Sequence, residues 1–281
     1  MRIQLFSDLH LERYPAFQPD IAPNTDVVVL AGDIGSYQSG SRLAGDDFGL
    51  ARFSPRLSPR RPGAGPARVL FVPGNHEFDG LDFDETTARL RALCAELGIE
   101  WLDRETIVID HVRFIGTTLW SDFDALASRE TELTRQLQLR GKAFRAANYY
   151  LSKNTTLKDG APVLAEAMRE ISLDCQAWLR AALSEPFDGV TVAVTHFAPS
   201  LLSADPRYGL AAGTAGFCNS LDALFPFADV WMHGHLHCMN DYTVTGVEAG
   251  RPWSCRVVAN PLGYLSKGEQ EGFRPELVIE L

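Results

Sequence analysis

Short apolar segments rich in β-branched residues recur along this chain, and each of them ends abruptly in polar residues. The clearest is 26–31 (DVVVLA), which is followed at once by Gly32 and Asp33. The others are a short segment around Ile3 and Leu5, and the segments 69–72, 190–194 and 229–232. Continuous apolar runs of this length are typical of strands buried on both faces. The pattern predicts a sheet that delivers polar side chains at the carboxyl ends of its strands, where open α/β sheets bind ligands.

Helical periodicity separates some of these strands. Between Asp84 and Leu97 apolar residues recur at helical spacing, and Gly98 follows as a C-terminal cap. Segments 106–109 and 112–115 flank Asp110 and His111, which predicts a β-hairpin with His111 exposed in its turn. Strand, loop and helix therefore alternate as they do in α/β proteins.

A long helical region, which looks inserted into the fold, is predicted from about 124 to 184. Its second half has an apolar face that includes Met168, Cys175 and Leu179, and Pro162 suits the first turn of that helix. Two placements stay open for this region. It either caps the ligand-binding edge of the sheet or packs against the sheet's flank.

The remainder of the chain predicts more strands but no second core. A short helix is expected at 220–225, and strands are expected around 242–245, 255–259 and 277–281, whose alternation favours an antiparallel second sheet. The stretch from Ser54 to Pro66 is rich in Pro, Gly, Ser and Arg, and is expected to be an exposed loop. With 281 residues and no internal repeat, the chain is expected to form a single domain, 1–281, of the α/β class.

Charge and cysteine content limit which binding partners and which cellular compartment are expected. The formal net charge of −10 argues against wide contact with nucleic acid or an anionic membrane, although bound metal ions can still attract a small anionic substrate. The five cysteines are odd in number and include no close pair, so neither a disulfide framework nor a CxxC zinc site is expected. The N-terminus runs directly into a strand, and no apolar run reaches the ~18 residues of a membrane span. We therefore predict a cytoplasmic protein.

Metal-ligand residue types follow five of the predicted strands. They are Asp8 and His10, Asp33, Asn75 and His76, His196, and His235 and His237. A single histidine at a strand end is usually a hydrogen-bonded structural residue, but agreement at five ends indicates a shared site. The spacing of two within Asp8/His10 and His235/His237 points both side chains the same way. His233 has the same parity but lies earlier in its strand, so we expect it to pack or to support a ligand.

In this order the motifs resemble those of the calcineurin-like metallophosphoesterase superfamily. The matching pieces are Asp8-Leu9-His10, Gly32-Asp33, Gly74-Asn75-His76-Glu77, His196 and Gly234-His235-Leu236-His237. The resemblance implies two packed mixed β-sheets flanked by helices, with a two-metal site at the strand ends. It further implies that Asp8, His10, Asp33 and His237 hold one ion, that Asp33, Asn75, His196 and His235 hold the other, and that Asp33 bridges them. Residues 116–122 look like those of a branch of small phosphodiesterase-like members.

The implied site has a definite chemistry. Two cations about 3.5–4 Å apart can share a hydroxide and clamp the phosphoryl oxygens. His76 lies outside the implied ligand set, which leaves it free to protonate the departing oxygen. Oxygen and nitrogen ligands accept Mn²⁺, Fe, Zn²⁺ or Co²⁺, as two divalent ions or as a mixed-valence pair. Glu77 either orients His76 or is solvated or caps a backbone amide, and the second interpretation is slightly favoured.

Other residues near these motifs receive structural interpretations. Cys238 is expected to point away from the site and pack, and the turn 260–264 is expected to be structural although it can border the site. Side chains of the helical region can contact a base or a phosphate, but a packed helix face is the favoured interpretation. They are Phe144, Arg145, Asn148, Tyr149 and Tyr150.

The leading functional prediction is a two-metal hydrolase of a small phosphodiester, for which a cyclic nucleotide is one candidate. The alternative is a phosphomonoesterase acting on a phosphoprotein or a metabolite. A non-catalytic binding scaffold is less favoured, because no expected ligand is missing. The shared motifs identify the reaction and leave the natural substrate, the metals and the oligomeric state open.

Overall fold

The computed structural model describes residues 1–38, 40–41, 43, 47–57, 67–248 and 250–281, which form an α/β structure. Its strands are β1 (Arg2–Phe6), β2 (Val27–Ala31), β3 (Arg68–Val72), β4 (Glu100–Trp101), β5 (Glu105–Ile109), β6 (Val112–Thr117), β7 (Leu157–Lys158), β8 (Ala161–Pro162), β9 (Val190–Thr195), β10 (Val230–His233), β11 (Asn240–Glu248), β12 (Arg251–Ala259) and β13 (Val278–Glu280). The α-helices are α1 (Phe83–Leu97), α2 (Leu133–Leu151) and α3 (Ala165–Ser184). Short 3-10 turns join several of them, including Ala212–Gly216 and Asp222–Phe227.

The first sheet has the strand order β13-β1-β2-β3-β4. Strands β1 to β4 are parallel neighbours, and β13 pairs antiparallel with β1 at one edge. Every residue of β2 is buried, as expected of a continuous apolar run in the middle of a parallel sheet. Because β1, β2 and β3 run in the same direction, the residues that follow them meet at one edge of the sheet.

The second sheet has the order β11-β12-β10-β9-β6-β5. Its four central strands are parallel, and β5 and β11 pair antiparallel at the two edges. Alternate apolar residues of the two sheets form a common core, with Ile3, Leu5 and Val29 on one side and Val192 and Met232 on the other. The prediction of two packed mixed sheets is confirmed.

The helices cover the outer faces of the sheets. Helix α1 begins after Asp82, whose carboxylate accepts the amides of Asp84 (3.0 Å) and Glu85 (3.1 Å), and it ends at Gly98 with a φ of 73°. Helix α3 buries Met168, Cys175 and Leu179 and packs against β6. This part of the helical region therefore lies on the flank of the sheet. No helix within the described ranges has the length and apolar character needed to cross a membrane.

Two details of the sequence prediction are wrong, one in the helical region and one in the C-terminal strands. Pro162 does not lie in the first turn of a helix, because it belongs to β8 and pairs with β7 in a small hairpin, and α3 begins three residues later at Ala165. The left-handed backbone of Asp159 (φ 52°) and Gly160 (φ 76°) turns the chain between these two strands. The Asp159-Gly160 pair is a sequence signal for such a turn, and the sequence analysis missed it.

The C-terminal strands do not form an antiparallel sheet of their own. Strands β11 and β12 are antiparallel, but β12 also pairs in parallel with β10, and β13 joins the first sheet. The reason is burial, since Val257, Val258 and Ala259 of β12 are all buried and require a neighbour on each side.

The loop predicted from Ser54 to Pro66 lies partly outside the described residues, which omit 58–66. Ser54 itself is buried, and its hydroxyl donates to the carbonyl of Leu97 at 2.6 Å. All five cysteines are free thiols, and the sequence analysis expected no disulfide framework.

Candidate metal centre

The loops that follow β1, β2, β3, β9 and β10 meet between the carboxyl ends of the two sheets. Backbone hydrogen bonds join them in pairs, since the amide of His10 donates to the carbonyl of Asp33 at 3.1 Å and the amide of Gly234 donates to that of His196 at 3.0 Å. The side chains brought together are Asp8, His10, Asp33, Asn75, His76, His196, His235 and His237. These are the residues that the sequence analysis singled out at the strand ends.

One group of possible metal ligands consists of Asp8, His10, Asp33 and His237, whose ligand atoms all lie within 4.8 Å of one another. The Nε2 atoms of His10 and His237 are 3.0 Å apart, and Nε2 of His237 is 3.5 Å from Oδ1 of Asp8. The backbone amide of His235 donates to both carboxylate oxygens of Asp8, at 2.9 and 3.1 Å. This hydrogen bonding fixes the orientation of the carboxylate.

A second group consists of Asp33, His196 and His235. Oδ2 of Asp33 is 3.2 Å from Nε2 of His196, which is itself 3.3 Å from Oδ1 of Asn75. Burial raises the pKa of Asp33, but the neighbouring His196 and His76 outweigh it and hold the pKa well below the ordinary value. Within the described residues, Asp33 is the one that the two groups share.

The unsatisfied atoms of the site fit bound cations. Among the described residues, Oδ2 of Asp33 and Nε2 of His235 are buried and have no hydrogen-bond partner. Buried polar atoms are rarely left in this state, because each costs about 1–3 kcal/mol. Carboxylate oxygens and neutral imidazole nitrogens are ligands of divalent transition metals, so a cation between them would satisfy both.

Carboxylates lie beside Nδ1 of two histidines. Nδ1 of His237 lies 2.6 Å from Oε2 of Glu269, which forms a hydrogen bond with it, and Nδ1 of His10 lies 3.3 Å from Oε1 of Glu12 without hydrogen-bond alignment. The hydrogen bond to Glu269 keeps the proton of His237 on Nδ1 and leaves its Nε2 lone pair free for a metal. The sequence analysis missed both residues. Glu12 is two positions after His10 and could have been found by spacing, whereas Glu269 is distant in sequence and gave no signal.

Two other histidines are oriented in the same way. Nδ1 of His196 donates to the carbonyl of Ala31 at 2.8 Å, and Nδ1 of His76 donates to Oδ2 of Asp79 at 2.5 Å. Asp79 was also missed, although it lies one 3-10 turn after His76. Burial lowers the pKa of His76, but the carboxylates of Asp33 and Asp79 outweigh this effect and raise it to about 10. His76 falls in neither ligand group, and its Nε2 lies 4.0 Å from Oδ2 of Asp33.

Glu77 holds two of the loops together. Its fully buried carboxylate accepts the backbone amides of Asp33 (3.0 Å) and Gly74 (2.7 Å) on one oxygen, and those of Ile34 (2.7 Å) and Gly35 (3.3 Å) on the other. Burial, together with the nearby Asp33, raises the pKa of Glu77 to about 8, against the effect of its amide donors. Glu77 therefore caps backbone amides, as the favoured interpretation held, and it is not solvated.

Many residues of the site adopt a left-handed backbone. The φ angles are 53° at Asp8, 47° at His10, 54° at Asp33, 71° at His235 and 47° at His237. This conformation is costly for residues other than glycine, and it persists only where surrounding structure enforces it. Such outliers cluster at functional sites, so their position here is an observation independent of residue chemistry.

Glycines allow the loops to approach one another. A Cβ atom at Gly74 would lie 2.2 Å from Oδ1 of Asp33, and one at Gly32 would lie 2.3 Å from Nδ1 of His196. Neither position has room for a side chain. The glycines of the motifs are therefore required for packing the ligand-bearing loops against one another.

The turn after β12 closes one side of the site. The ring of Tyr264 stacks on that of His10 with a centroid distance of 4.4 Å, and its backbone amide donates to Oε2 of Glu269 at 2.8 Å. Asn260 fixes the turn by donating to the carbonyls of Leu5 and Arg274, both at 2.9 Å. The turn is therefore structural, and it also borders the site.

A cavity of about 450 Å³ opens on the other side, next to Asn75, His76 and His235. Its walls are mostly apolar and come from distant parts of the chain: the loop after β6, helix α2 with residues 153–156, Met168 of α3, Phe197 after β9, and the 3-10 turn Ala212–Gly216 with Phe217. Helix α2 therefore lines the approach to the site, and α3 packs on the flank of the sheet but also contributes Met168 to the cavity wall. Both placements left open for the helical region therefore apply in part.

Comparison with known families decides the class of the protein. The family model of calcineurin-like phosphoesterases matches residues 1–239. The chain belongs to this family. Together with the two ligand groups, membership establishes a metal-dependent phosphoesterase that hydrolyses phosphate esters.

Two known proteins are similar to this phosphoesterase over nearly their whole length. Uncharacterized protein L509 of Acanthamoeba polyphaga mimivirus is 24% identical over 307 residues, which cover 100% of this chain and 97% of that protein. The crystal structure of phosphopantetheinyl hydrolase (PptH) from Mycobacterium tuberculosis superimposes with a TM-score of 0.62 and 18% identity, covering 96% of this chain and 92% of that one. The second likeness establishes the fold.

Several residues of the phosphoesterase that the sequence analysis named lie outside the ligand groups. His233 uses both ring nitrogens, with Ser203 Oγ at 2.9 Å and the carbonyl of Gly234 at 3.0 Å, and burial lowers its pKa to about 4. Cys238 is half-buried with its thiol toward the carbonyl of Met239, and His111 is exposed in its hairpin turn.

The side chains of α2 divide between packing and exposure. Phe144 packs edge-on against Phe123 at 5.4 Å, and Oδ1 of Asn148 accepts the amide of Ala165 at the start of α3. Arg145 and Tyr149 are exposed, and Tyr150 lines the cavity while remaining 70% exposed. The packed-face interpretation holds for Phe144 and Asn148, and Tyr150 is the one of the five that borders the cavity.

Proposed function

We propose that this phosphoesterase is a two-metal hydrolase of small phosphodiesters. The observation that carries the proposal is the position of Asp33, which lies in both groups of ligand side chains. In the proposed assignment, one ion is held by Asp8, His10, Asp33 and His237. The other is held by Asp33, Asn75, His196 and His235.

The donor atoms suit Mn²⁺, Fe or Zn²⁺, as two divalent ions or as a mixed-valence pair. When bound, such ions supply an activated water as nucleophile and neutralise the phosphoryl oxygens. The chain's own residues orient the site: Glu269 holds His237, Glu77 holds the loop that carries Asp33, and Glu12 lies next to His10.

His76 is proposed as the acid that protonates the departing oxygen. Its Nδ1 is committed to Asp79, so Nε2 is the nitrogen that faces the site, and it borders the cavity where an ester group can lie. A proton held at Nε2 is therefore within the space that the leaving oxygen would occupy.

The charge of the cavity favours a diester over a monoester. A phosphomonoester carries up to two negative charges near neutral pH, and arginine is the side chain that best pairs with phosphate oxygens. Lys153 is the sole lysine or arginine among the residues described as lining the cavity, and its Nζ lies 3.8 Å from the ring centroid of Tyr149. A phosphodiester, with one negative charge, matches this environment better. A cyclic nucleotide belongs to this class.

The test is hydrolysis of bis(p-nitrophenyl) phosphate and p-nitrophenyl phosphate by protein of known metal content, with Mn²⁺ restored. We expect about two metal equivalents and a kcat/KM for the diester at least about tenfold above that for the monoester. Faster turnover of the monoester would instead support the phosphomonoesterase alternative. Because a similar structure is that of a phosphopantetheinyl hydrolase, a phosphopantetheinyl ester belongs in the same substrate panel.

Four statements stay predictions from the sequence. They are the single-domain organisation, the insertion of residues 124–184 into the fold, the cytoplasmic location, and the lack of an extended nucleic-acid partner.

A further inference from the structure

The cavity beside His76 is a built binding site for part of the substrate. We propose that it binds the leaving alcohol of the phosphodiester and selects alcohols that carry an apolar or aromatic group. This inference rests on the proposed function, because it assigns one of the two ester groups to a place in the site. It identifies helix α2, the segment 153–156 and the 3-10 turn Ala212–Gly216 as the elements that determine specificity.

Aromatic and apolar side chains make up most of the cavity wall. Trp120, Phe197, Phe217 and Met168 contribute to it. Trp120 and Phe197 lie 5.8 Å apart between ring centroids, and the ring of Phe197 packs at 3.9 Å on that of His235. An aromatic wall next to a candidate metal ligand favours a flat apolar group attached to the phosphorus through oxygen.

The two threonine hydroxyls of the wall are already engaged. The hydroxyl of Thr155 donates to the carbonyl of Val163 at 3.1 Å, and that of Thr156 donates to the carbonyl of Leu81 at 3.0 Å. The hydroxyl hydrogens of Thr155 and Thr156 are therefore not available to a bound ligand. A polyhydroxylated alcohol such as a sugar would lose its hydration in the cavity without replacement hydrogen bonds from these two residues. An apolar alcohol incurs no such cost.

The backbone of the cavity wall is strained in the same way as the metal loops. Trp120 has a φ of 54° and Phe123 a φ of 61°, which are unfavourable for aromatic residues. Asn219 holds the segment in place by donating to the carbonyl of Trp120 at 2.8 Å and accepting the amide of Asp122 at 3.1 Å. Enforced strain of this kind is typical of ligand sites and is not needed for sheet packing.

The position of His76 decides which ester group enters. Its ring lines the cavity, and it is the residue proposed to protonate the leaving oxygen. The leaving alcohol must therefore extend from His76 into the cavity, and the ester group that stays on phosphorus must point elsewhere. The volume of about 450 Å³ is ample for a phenyl or a heterocyclic ring.

Two substitutions on different elements of the wall would reduce the cavity. Ala146→Phe adds a ring from α2, and Gly213→Val adds a side chain at a position where a Cβ meets nothing within 4 Å. Lys142→Phe is the matched control, because it adds the same ring to the exposed surface of the same helix, outside the cavity. Circular dichroism and melting temperature would establish that each variant folds, and the two cavity variants provide independent chances of a folded protein.

The first measurement is binding by titration calorimetry with Mn²⁺-loaded protein, which does not depend on turnover. The probes are ethylphosphonate and 2-phenylethylphosphonate, which differ by a phenyl ring. Burial of a ring predicts that the wild type and Lys142→Phe bind the phenyl compound at least about tenfold more tightly. The ratio should fall toward one in Ala146→Phe and Gly213→Val. Equal affinity of the wild type for both compounds, or an unchanged ratio in the folded cavity variants, would overturn the proposal.

The second measurement is regiochemistry with methyl 2-phenylethyl phosphate, followed by ³¹P NMR. Water adds to phosphorus and one P–O bond breaks, giving either methyl phosphate with 2-phenylethanol or 2-phenylethyl phosphate with methanol. We expect methyl phosphate in about tenfold excess from the wild type and a loss of this excess in the cavity variants. Excess 2-phenylethyl phosphate would place the aromatic group on the wrong side and refute the assignment. Failure to hydrolyse any diester, with turnover of monoesters, would contradict the proposed diesterase function, while the calorimetric ratio would still decide whether the cavity binds the ring.

Discussion

Replacement of Glu77 by glutamine should destabilise the protein and loosen the metal centre. The carboxylate has no solvent exposure, and its two oxygens together accept four backbone amides from the loops after β2 and β3. In Glu77→Gln one oxygen becomes an NH₂ group, which can only donate. Two of the four amides then face a donor and lose their acceptor, whichever way the side-chain amide is turned.

The magnitude follows from this count of lost acceptors. A buried donor without an acceptor costs about 1–3 kcal/mol, so two of them predict a loss of about 2–6 kcal/mol in the free energy of unfolding. Relief of the cost of a buried charge reduces this figure, and the lower half of the range is expected. With about 2–4 °C per kcal/mol for a chain of this size, the melting temperature should fall by at least about 4 °C.

The assay is urea unfolding of metal-free protein at pH 9, where a carboxyl group with a pKa of about 8 is mostly ionised, followed by Mn²⁺ titration of the folded variant. Glu276→Gln removes the same charge from an exposed position and should change the free energy of unfolding by less than about 0.5 kcal/mol. Because Asp33 and Asn75 lie on the two loops that Glu77 joins, Mn²⁺ affinity should fall as well. If Glu77→Gln unfolds at the same urea concentration as Glu276→Gln, the four amides do not depend on the carboxylate and the reasoning is wrong.

Four further outcomes are expected. His76→Ala should retain both metals by elemental analysis and lose about 10²–10⁴ in kcat, and loss of metal would show that its role is misassigned. Asp33→Asn should lower metal content itself, and full occupancy would contradict bridging. Glu269→Gln should weaken Mn²⁺ binding by about 10–100-fold in a chelator competition while the exposed Glu271→Gln does not, and equal affinities would remove its orienting role. Native protein should react with a thiol reagent at Cys238 alone, because the other cysteines are buried; modification of a second cysteine before unfolding would contradict this packing.

The strand ends and the polar residues on them were predictable because both are local properties of the sequence. The segment 27–31 is apolar throughout and is stable only between two neighbouring strands, so the polar residues that follow it lie at the edge of the sheet. The same reasoning places His196 after β9. The side chains that the sequence analysis grouped by strand ends do meet in the structure, and their ligand roles stay predictions.

The orienting carboxylates were harder to find because their partners are set by the fold. Glu269 lies in a short 3-10 segment without periodicity, and only the turn through Tyr264 brings it to His237. The cavity is invisible in the sequence for the same reason. Residues on α2 and near Gly213 line one space although about 65 positions separate them, and neither segment carries a motif.

The left-handed residues explain why the metal loops need the support that surrounds them. Five of the site's own residues have positive φ, and at about 1 kcal/mol or more each they cost on the order of 5 kcal/mol together, which is comparable to the net stability of a small domain. Apolar burial between the two sheets is extensive enough to offset that cost. The hydrogen bonds of Glu77 and the backbone hydrogen bonds between the loops hold the loops in one geometry. If these loops were free to relax, the candidate ligand side chains would separate. The strain is therefore the consequence of holding side chains from five strand ends at one point, and the buried sheets are what make that arrangement possible.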